Sequence, residues 1–222
     1  RWGPSLPSLI HTRGSNRSSD TGNFIYNPVN NASDDYAHPY LYCPRPAVKL
    51  REYGSADDFK NYINSLTPDG NTYHDIGLIW GARLMSPTGI FADENDFTPE
   101  GGEIERHLIF MTDGDTVAQS YDYTAYGVPW FDRRQTSTQN APSQSQLNDQ
   151  VNARFSALCK AVRNKQITLW VISFGDATNT ATRDRLRDCA TPGHYYQADD
   201  GPKLQSTFKN IADQISALRL TR

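Results

Sequence analysis

The sequence predicts an α/β domain in which helices flank a mostly parallel sheet, in the doubly wound arrangement. Apolar runs of strand length alternate along the chain with segments whose apolar residues recur at helical spacing. This alternation is typical of a parallel sheet with helices on both faces. The largely apolar run from His107 to Thr112 ends directly on Asp113 and Gly114, as expected of a buried parallel strand that is followed by a turn.

The first half of the regular region predicts one strand and two helices. Residues 47–53 are predicted as a strand, and Ser55 is predicted to cap the helix that follows. The apolar face of that helix consists of Phe59, Tyr62, Ile63 and Leu66. A second helix is predicted to begin at Thr72. In this helix Gly77 and Gly81 lie about one turn apart, which allows another backbone to approach closely, so we expect the helix to pack against the sheet.

The remaining predicted elements continue the alternation. They are a helix with Leu147, Val151, Phe155, Leu158 and Val162 in register, a strand at 167–174, a helix at 181–189, a strand at 194–198 and a helix at 202–218. We expect the four predicted strands to form one sheet with the strand at His107 in the centre. Ligands bind at the carboxyl ends of the strands in such sheets, so Asp113 is expected at the functional edge.

Composition narrows the functional classes. The length of 222 residues suits one domain with a full core, and the net charge of -3 gives no electrostatic case for binding nucleic acid or an anionic membrane. No apolar run is long enough to span a bilayer. Residues 1–46 are rich in Ser, Asn, Pro, Gly and Tyr. They are predicted to be an irregular loop or insertion that precedes a domain at 47–222.

Two segments carry a more specific signal. One runs from Gly70 through Thr72 to Gly81, and the other runs from His107 through Asp113 to Asp115. They resemble two of the three metal-binding motifs of von Willebrand factor A domains, in which a threonine from a loop and an aspartate at a strand end help to hold a divalent cation. The resemblance implies that Thr72 and Asp113 bind Mg²⁺ or another divalent cation, for which hard oxygen ligands are suited.

The wider pattern resembles the C-terminal half of TadG-like proteins, which are associated with the tight-adherence (Tad) pilus of bacteria. It comprises Cys43-Pro44, the segment 71–87, Phe110-Met-Thr-Asp-Gly, Cys189-Ala and the closing Leu218-Arg-Leu-Thr-Arg222. The resemblance implies a non-catalytic role in adhesion, surface contact or pilus assembly. It also implies a protein or surface ligand, other Tad pilus components as partners, and a periplasmic or cell-surface location with a membrane anchor upstream.

The chain departs from this family in one respect. The first metal motif of the family, Asp-x-Ser-x-Ser, should precede both segments and is not present. The nearest string, Asp176-Ala-Thr178-Asn-Thr180, comes too late in the order and is interpreted as a loop and helix cap. We therefore expect the chain to lack at least the first strand and first helix of the fold. Either an upstream stretch of the protein or a second polypeptide, such as the N-terminal part of the same protein, would supply them and complete the metal site.

The three cysteines are informative only in context. Cys159 falls on one predicted helix and Cys189 at the end of the next, with a strand between them. This arrangement allows a Cys159–Cys189 disulfide and leaves Cys43 unpaired or bonded to the missing part. Three free thiols in a reducing compartment are the alternative. The family resemblance favours an oxidising compartment and therefore the disulfide.

The loop that follows Asp113 is rich in aromatic residues. These are Tyr121, Tyr123, Tyr126, Trp130 and Phe131. Because the loop follows the Asp113 strand, we expect it to overhang the same edge of the sheet, where tyrosine and tryptophan suit protein recognition. The alternative is a loop that folds back on its own aromatic side chains.

An enzymatic alternative rests on the string Asp113-Gly-Asp115-Thr-Val, which resembles haloacid-dehalogenase-like phosphatases. In that family the first aspartate is the nucleophile, the second is a general acid, and Mg²⁺ neutralises the phosphate. Ser173 and Asp199-Asp200 are similar to the later motifs. Two helices and a strand precede the string, whereas the motif usually lies on the first strand of that fold, and no lysine is placed to complete the set. We therefore expect no enzymatic activity.

Overall fold

The structure is a computed structural model that describes residues 48–67, 70–98, 100–120, 124–127, 129, 135–136, 142–176 and 178–220. The predicted irregular segment 1–46 and Cys43 lie outside these residues, so the boundary at residue 46 stays a prediction. The described residues form two compact units. One contains the residues up to Ile76 together with Val117–Asn152, and the other contains Gly77–Thr116 and the residues from Ala153 onward. Each unit is described by itself.

The helices and strands follow the predicted order. They are α1 (Ala56–Asn64), α2 (His74–Leu84), β1 (Arg106–Thr112), α3 (Gln144–Asn164), β2 (Ile167–Phe174), α4 (Thr180–Cys189), β3 (Tyr195–Ala198) and α5 (Gly201–Leu220). A short 3₁₀ helix at Ala92–Glu94 lies between α2 and β1. The described residues therefore form an α/β fold, as the alternating pattern predicted.

The sheet is parallel, has the order β1-β2-β3 and lies within the second unit. This differs from the prediction in two respects. Among the described residues β2 is central and β1 is an edge strand, and residues 48–53 form no strand. The burial of the side chains agrees with this order, because β2 is buried along almost its whole length whereas β1 exposes Ile109 and Met111.

Apolar side chains cover both faces of β2. Leu169 and Val171 pack in one cluster with Phe155 of α3 and Leu186 of α4. On the other face, Trp170 and Ile172 pack in a second cluster with residues that include Ile211 of α5. The three-stranded sheet is therefore flanked by helices on both faces, which is why its central strand is a continuous apolar run.

Within the second unit α2 packs against the sheet at Gly81, where the neighbouring atoms belong to a side chain of β1 and not to another backbone as predicted. A Cβ atom added at Gly81 would lie 2.9 Å from Cδ1 of Leu108 on β1, whereas one at Gly77 would lie 3.8 Å from the Phe110 ring. The first distance is shorter than real Cβ contacts allow, so α2 needs glycine at position 81 to pack this closely against β1 unless Leu108 shifts.

The predicted disulfide is confirmed. Cys159 on α3 and Cys189 at the end of α4 are bonded, with their Cα atoms 5.0 Å apart. Both residues are buried and belong to the same apolar cluster as Leu169. The bridge ties together two helices on one face of the sheet.

In the first unit, α1 begins as predicted. Ser55 is its N-cap, and its Oγ accepts a hydrogen bond of 3.1 Å from the backbone N–H of Asp58. The predicted apolar face includes Phe59 and Ile63, yet no residue of α1 is buried among the described residues. The helical period therefore predicted the helix correctly, whereas the described residues contain no layer that covers its apolar face.

Candidate functional site at the carboxyl edge of the sheet

Asp113 lies where the sequence predicted it, directly after the last residue of β1, and it is exposed. The turn is shaped by the buried Thr112, whose Oγ1 donates a hydrogen bond of 3.2 Å to the carbonyl oxygen of Gly114. Because the three strands are parallel, their carboxyl ends meet at one edge of the sheet. The aspartates that follow the strands at this edge are Asp113, Asp115, Asp176, Asp199 and Asp200.

Asp115 joins the loop after β1 to the loop after β2. Its Oδ1 accepts a hydrogen bond of 3.0 Å from the backbone N–H of Asn179, and its Oδ2 accepts one of 2.6 Å from the side-chain Nδ2 of the same residue. Asp115 is half-buried and Asn179 is exposed. Both carboxylate oxygens of Asp115 are therefore engaged in holding a neighbouring loop.

The helix cap predicted in the string 176–180 is Asn179. Asn179 is the N-cap of α4, and its Oδ1 accepts a hydrogen bond of 2.8 Å from the backbone N–H of Thr182. Just before it, the hydroxyls of the buried Ser173 and Thr178 are hydrogen-bonded at 3.1 Å. Ser173 is therefore a structural residue beneath the edge, where the phosphatase interpretation would need an accessible hydroxyl.

Thr72 belongs to the first unit, whereas Asp113 belongs to the second. The backbone of Thr72 pairs with Val117 through two hydrogen bonds of 3.1 Å each. The helix α2 begins at His74 and not at Thr72, so the predicted start is two residues too early. The joint role of Thr72 and Asp113 as metal ligands stays a prediction.

The sequence did not predict the buried, hydrogen-bonded carboxylate at the start of α2. Asp75 is completely buried, and its Oδ2 accepts a hydrogen bond of 3.2 Å from the Tyr126 hydroxyl. The neighbouring His74 is also buried. An acidic residue in a first helical turn is expected at the surface, where it complements the helix dipole. The pattern therefore gave no sign that this carboxylate is buried.

The aromatic loop is described only in part. Tyr126 is half-buried and bonded to Asp75, so it anchors the loop within the first unit. This contact joins the loop to the first turn of α2. The other aromatic residues of the predicted binding loop, Tyr121, Tyr123, Trp130 and Phe131, lie outside the described residues, and their role stays a prediction.

The described residues contain no group of three or more His, Cys, Asp or Glu side chains arranged to hold a metal ion. At the carboxyl edge, Asp113 is exposed, while both oxygens of Asp115 accept hydrogen bonds from Asn179.

Within the part of the chain that the structure describes, no helix has both the length and the apolar character needed to cross a bilayer.

No protein-family model and no curated protein matches the chain. Among solved structures, the pilus adhesin SpaC from Lactobacillus rhamnosus GG aligns in its open conformation with a TM-score of 0.48 and 17% identity, over 76% of this chain and 22% of SpaC. A second crystal structure of SpaC aligns with a TM-score of 0.48 and 16% identity. Proximal thread matrix protein 1 from the mussel byssus aligns with a TM-score of 0.41 and 16% identity, over 73% of this chain and 32% of that protein. The chain thus spans less than a third of these proteins, and alignments at this level assign neither family nor function.

Proposed function

We propose that this chain is the C-terminal portion of a von Willebrand A-like domain from a TadG-like protein and acts as a non-catalytic adhesion, surface-contact or assembly component of the bacterial Tad pilus. The observation that carries the proposal is the position of Asp113. It is an exposed carboxylate directly after an apolar strand, at the carboxyl edge of a parallel sheet. In this proposal the domain works in the periplasm or at the cell surface, and its parent is anchored in the membrane upstream.

The contacts at the edge favour binding over phosphoryl chemistry. A phosphatase of the alternative type needs a second carboxylate that is free to move a proton. Asp115, the residue in that position, accepts two hydrogen bonds from Asn179, and Ser173 is buried against Thr178. Asp113 is left as the exposed group on this turn, which suits a ligand contact. In the proposal Asp113 and Thr72 are two oxygen ligands of Mg²⁺ or another divalent cation, and residues outside the described chain supply the rest.

An Asp113 variant tests this function. We expect Asp113→Asn to weaken Mn²⁺ binding at least about tenfold, because an amide lacks the charge that a hard cation prefers. The measurement is calorimetric titration of Mn²⁺ into the chain co-produced with the upstream part of its own reading frame. Asp199→Asn is the matched control, since Asp199 is an exposed aspartate after β3 whose recorded side-chain partner is the local Gln197.

Equal Mn²⁺ affinity in the wild type and Asp113→Asn would overturn the metal role. The same samples are assayed for turnover of a generic phosphomonoester with Mg²⁺. We expect none above background, and turnover that Asp113→Asn abolishes would replace the proposed function with the phosphatase alternative.

The partner we propose for β1 is a strand from the N-terminal part of the same protein. Among the described residues β1 pairs on one side only. Ile109 and Met111 lie beside Trp170 and Ile172 in register. The β2 pair is fully buried, whereas Ile109 is 38% exposed and Met111 is 48% exposed. The apolar layer thus continues past the part that the described residues cover, and an apolar strand at the edge of a sheet favours pairing with another strand.

A double replacement on β1 tests this partner. We expect native mass spectrometry to detect a 1:1 complex between the chain and the co-produced upstream part. Replacing Ile109 and Met111 together by lysine should weaken this complex at least about tenfold, because two charges would enter an apolar contact. Ile90→Lys is the control, since Ile90 is 73% exposed and lies outside the sheet. A complex that tolerates both lysines, or a wild-type chain that stays monomeric, would overturn the proposed partner.

A further inference from the structure

The hydrogen bonds of Asn179 extend in two directions. Toward its own helix, Asn179 Oδ1 accepts from the backbone N–H of Thr182 and caps α4. Toward the neighbouring loop, Asn179 Nδ2 and backbone N–H donate to the two carboxylate oxygens of Asp115. The amide of Asn179 cannot rotate by half a turn without losing the cap, because this rotation would place Nδ2 against the Thr182 N–H. The orientation of the Asn179 side chain is therefore determined by both contacts together.

These contacts hold the turn that carries Asp113 from both sides. On one side Thr112 is the last residue of β1, pairs in register with Ser173 of β2, and bonds to Gly114. On the other side Asp115 is tied to the N-terminus of α4. Only Asp113 and Gly114 lie between the two anchors. A negative carboxylate is also favoured at a helix N-terminus by the helix dipole, so the contact is suited to hold the turn in one place.

We propose that Asp115 and Asn179 are positioning residues that hold Asp113 at the carboxyl edge in the orientation its ligand requires. This inference rests on the proposed function, in which Asp113 contacts the ligand. It assigns Asp115 a role different from that of a general acid. The carboxylate acts through Asn179 on the loop and does not itself contact the ligand.

An exchange of the two side chains tests the inference. In Asp115→Asn the new amide group meets the Nδ2 group of Asn179, donor against donor. In Asn179→Asp two carboxylates meet where the hydrogen bond is now 2.6 Å long. The double replacement Asp115→Asn/Asn179→Asp restores complementarity. The new amide at position 115 donates to the new carboxylate at position 179 and accepts from its backbone N–H, while that carboxylate still caps Thr182.

The first readout is amide hydrogen exchange of Asn179 and of the turn residues Asp113 and Gly114. We expect each single variant to exchange at least about tenfold faster there, and the double variant to return to within about twofold of the wild type, since a hydrogen bond to a charged group contributes more than a kilocalorie per mole. Asp200→Asn is the matched control. Asp200 also accepts a backbone hydrogen bond at the start of a helix, from Lys203, and it follows β3 rather than β1. It should leave exchange at the Asp113 turn unchanged.

The second readout is Mn²⁺ affinity of the chain with its co-produced upstream part. Single variants should weaken it and the exchanged pair should restore it, a rescue that a general loss of stability would not produce. Unchanged exchange in both single variants would overturn the contact as a positioning device. If the single variants change the exchange rates but bind Mn²⁺ as tightly as the wild type, and this binding still depends on Asp113, the contact has no role in positioning Asp113 for its ligand. If Asp113→Asn binds Mn²⁺ as tightly as the wild type does, the proposed function fails. The exchange data still show in that case whether Asp115 and Asn179 hold the turn, so the two failures are distinguishable.

Discussion

Replacing Trp170 by alanine is expected to lower the free energy of unfolding by about 3–5 kcal/mol, the usual cost of removing a large buried aromatic side chain. Trp170 is completely buried in the central strand and packs in the cluster beneath α5. Its Nε1 donates a hydrogen bond of 3.2 Å to Nδ1 of His107, and its ring meets His194 edge-on with centroids 4.1 Å apart. The substitution removes these contacts together, and chemical denaturation followed by circular dichroism measures the loss.

Two further variants separate packing from hydrogen bonding. Trp170→Phe keeps most of the apolar contact and leaves His107 Nδ1 without its donor, so the expected loss is about 1–3 kcal/mol. Trp80→Ala is the matched control, because Trp80 is a half-buried tryptophan on α2 whose ring has the Arg83 guanidinium 5.3 Å from its centroid. An equal loss in Trp80→Ala and Trp170→Ala would show that Trp170 is not at the centre of the core.

The elements most accurately predicted are those whose pattern depends on their own neighbours along the chain. The central strand β2 was predicted at 167–174 and is observed at Ile167–Phe174, because a strand covered on both faces must be a continuous apolar run. The buried stripe of α3, which includes Leu147, Phe155 and Val162, follows the helical period in the same way. Local periodicity and burial agree in these segments.

Within the described sheet β1 is not the central strand that the sequence predicted, because an apolar run reports burial but not the number of neighbouring strands. Ile109 and Met111 follow the same pattern as the residues of a central strand, yet both are partly exposed at the edge of the described sheet. The amphipathic period of α1 likewise predicts a helix and not what covers it, and Phe59 is 50% exposed. The described residues therefore leave both apolar surfaces partly exposed.

In the candidate site, too, the local features were predicted and the contacts between distant residues were not. The strand-and-turn pattern placed Asp113 correctly, because a parallel strand that ends on a carboxylate and a glycine presents that carboxylate at the sheet edge. The bonds of Asp115 to Asn179 and of Tyr126 to Asp75 join residues that are 64 and 51 positions apart. Contacts across such separations depend on the tertiary fold, and a single sequence contains no local signal for them.

Removing the Cys159–Cys189 bridge is expected to lower the free energy of unfolding by about 3.5 kcal/mol, the chain-entropy value for a closed loop of this length. The two cysteines are 30 positions apart and buried in one cluster. The expected loss arises mainly because the bridge restricts the unfolded chain. The native fold should therefore persist after reduction, with a lower denaturant concentration at the unfolding midpoint. Denaturant unfolding of Cys159→Ala, Cys189→Ala and the double variant measures it.

A double-mutant cycle separates the bridge from the packing of the two sulfur atoms. Each single replacement removes the bridge and one buried side chain, whereas the double replacement removes the bridge only once. The two single losses should therefore sum to about 3.5 kcal/mol more than the loss in the double variant. Additive losses would mean that the two residues act as independent buried thiols, as they would in a reducing compartment. Non-reducing peptide mapping of protein taken from its native compartment distinguishes the same two cases. A bridge found there requires an oxidising location, such as the proposed periplasm or cell surface, whereas two free thiols would contradict that location.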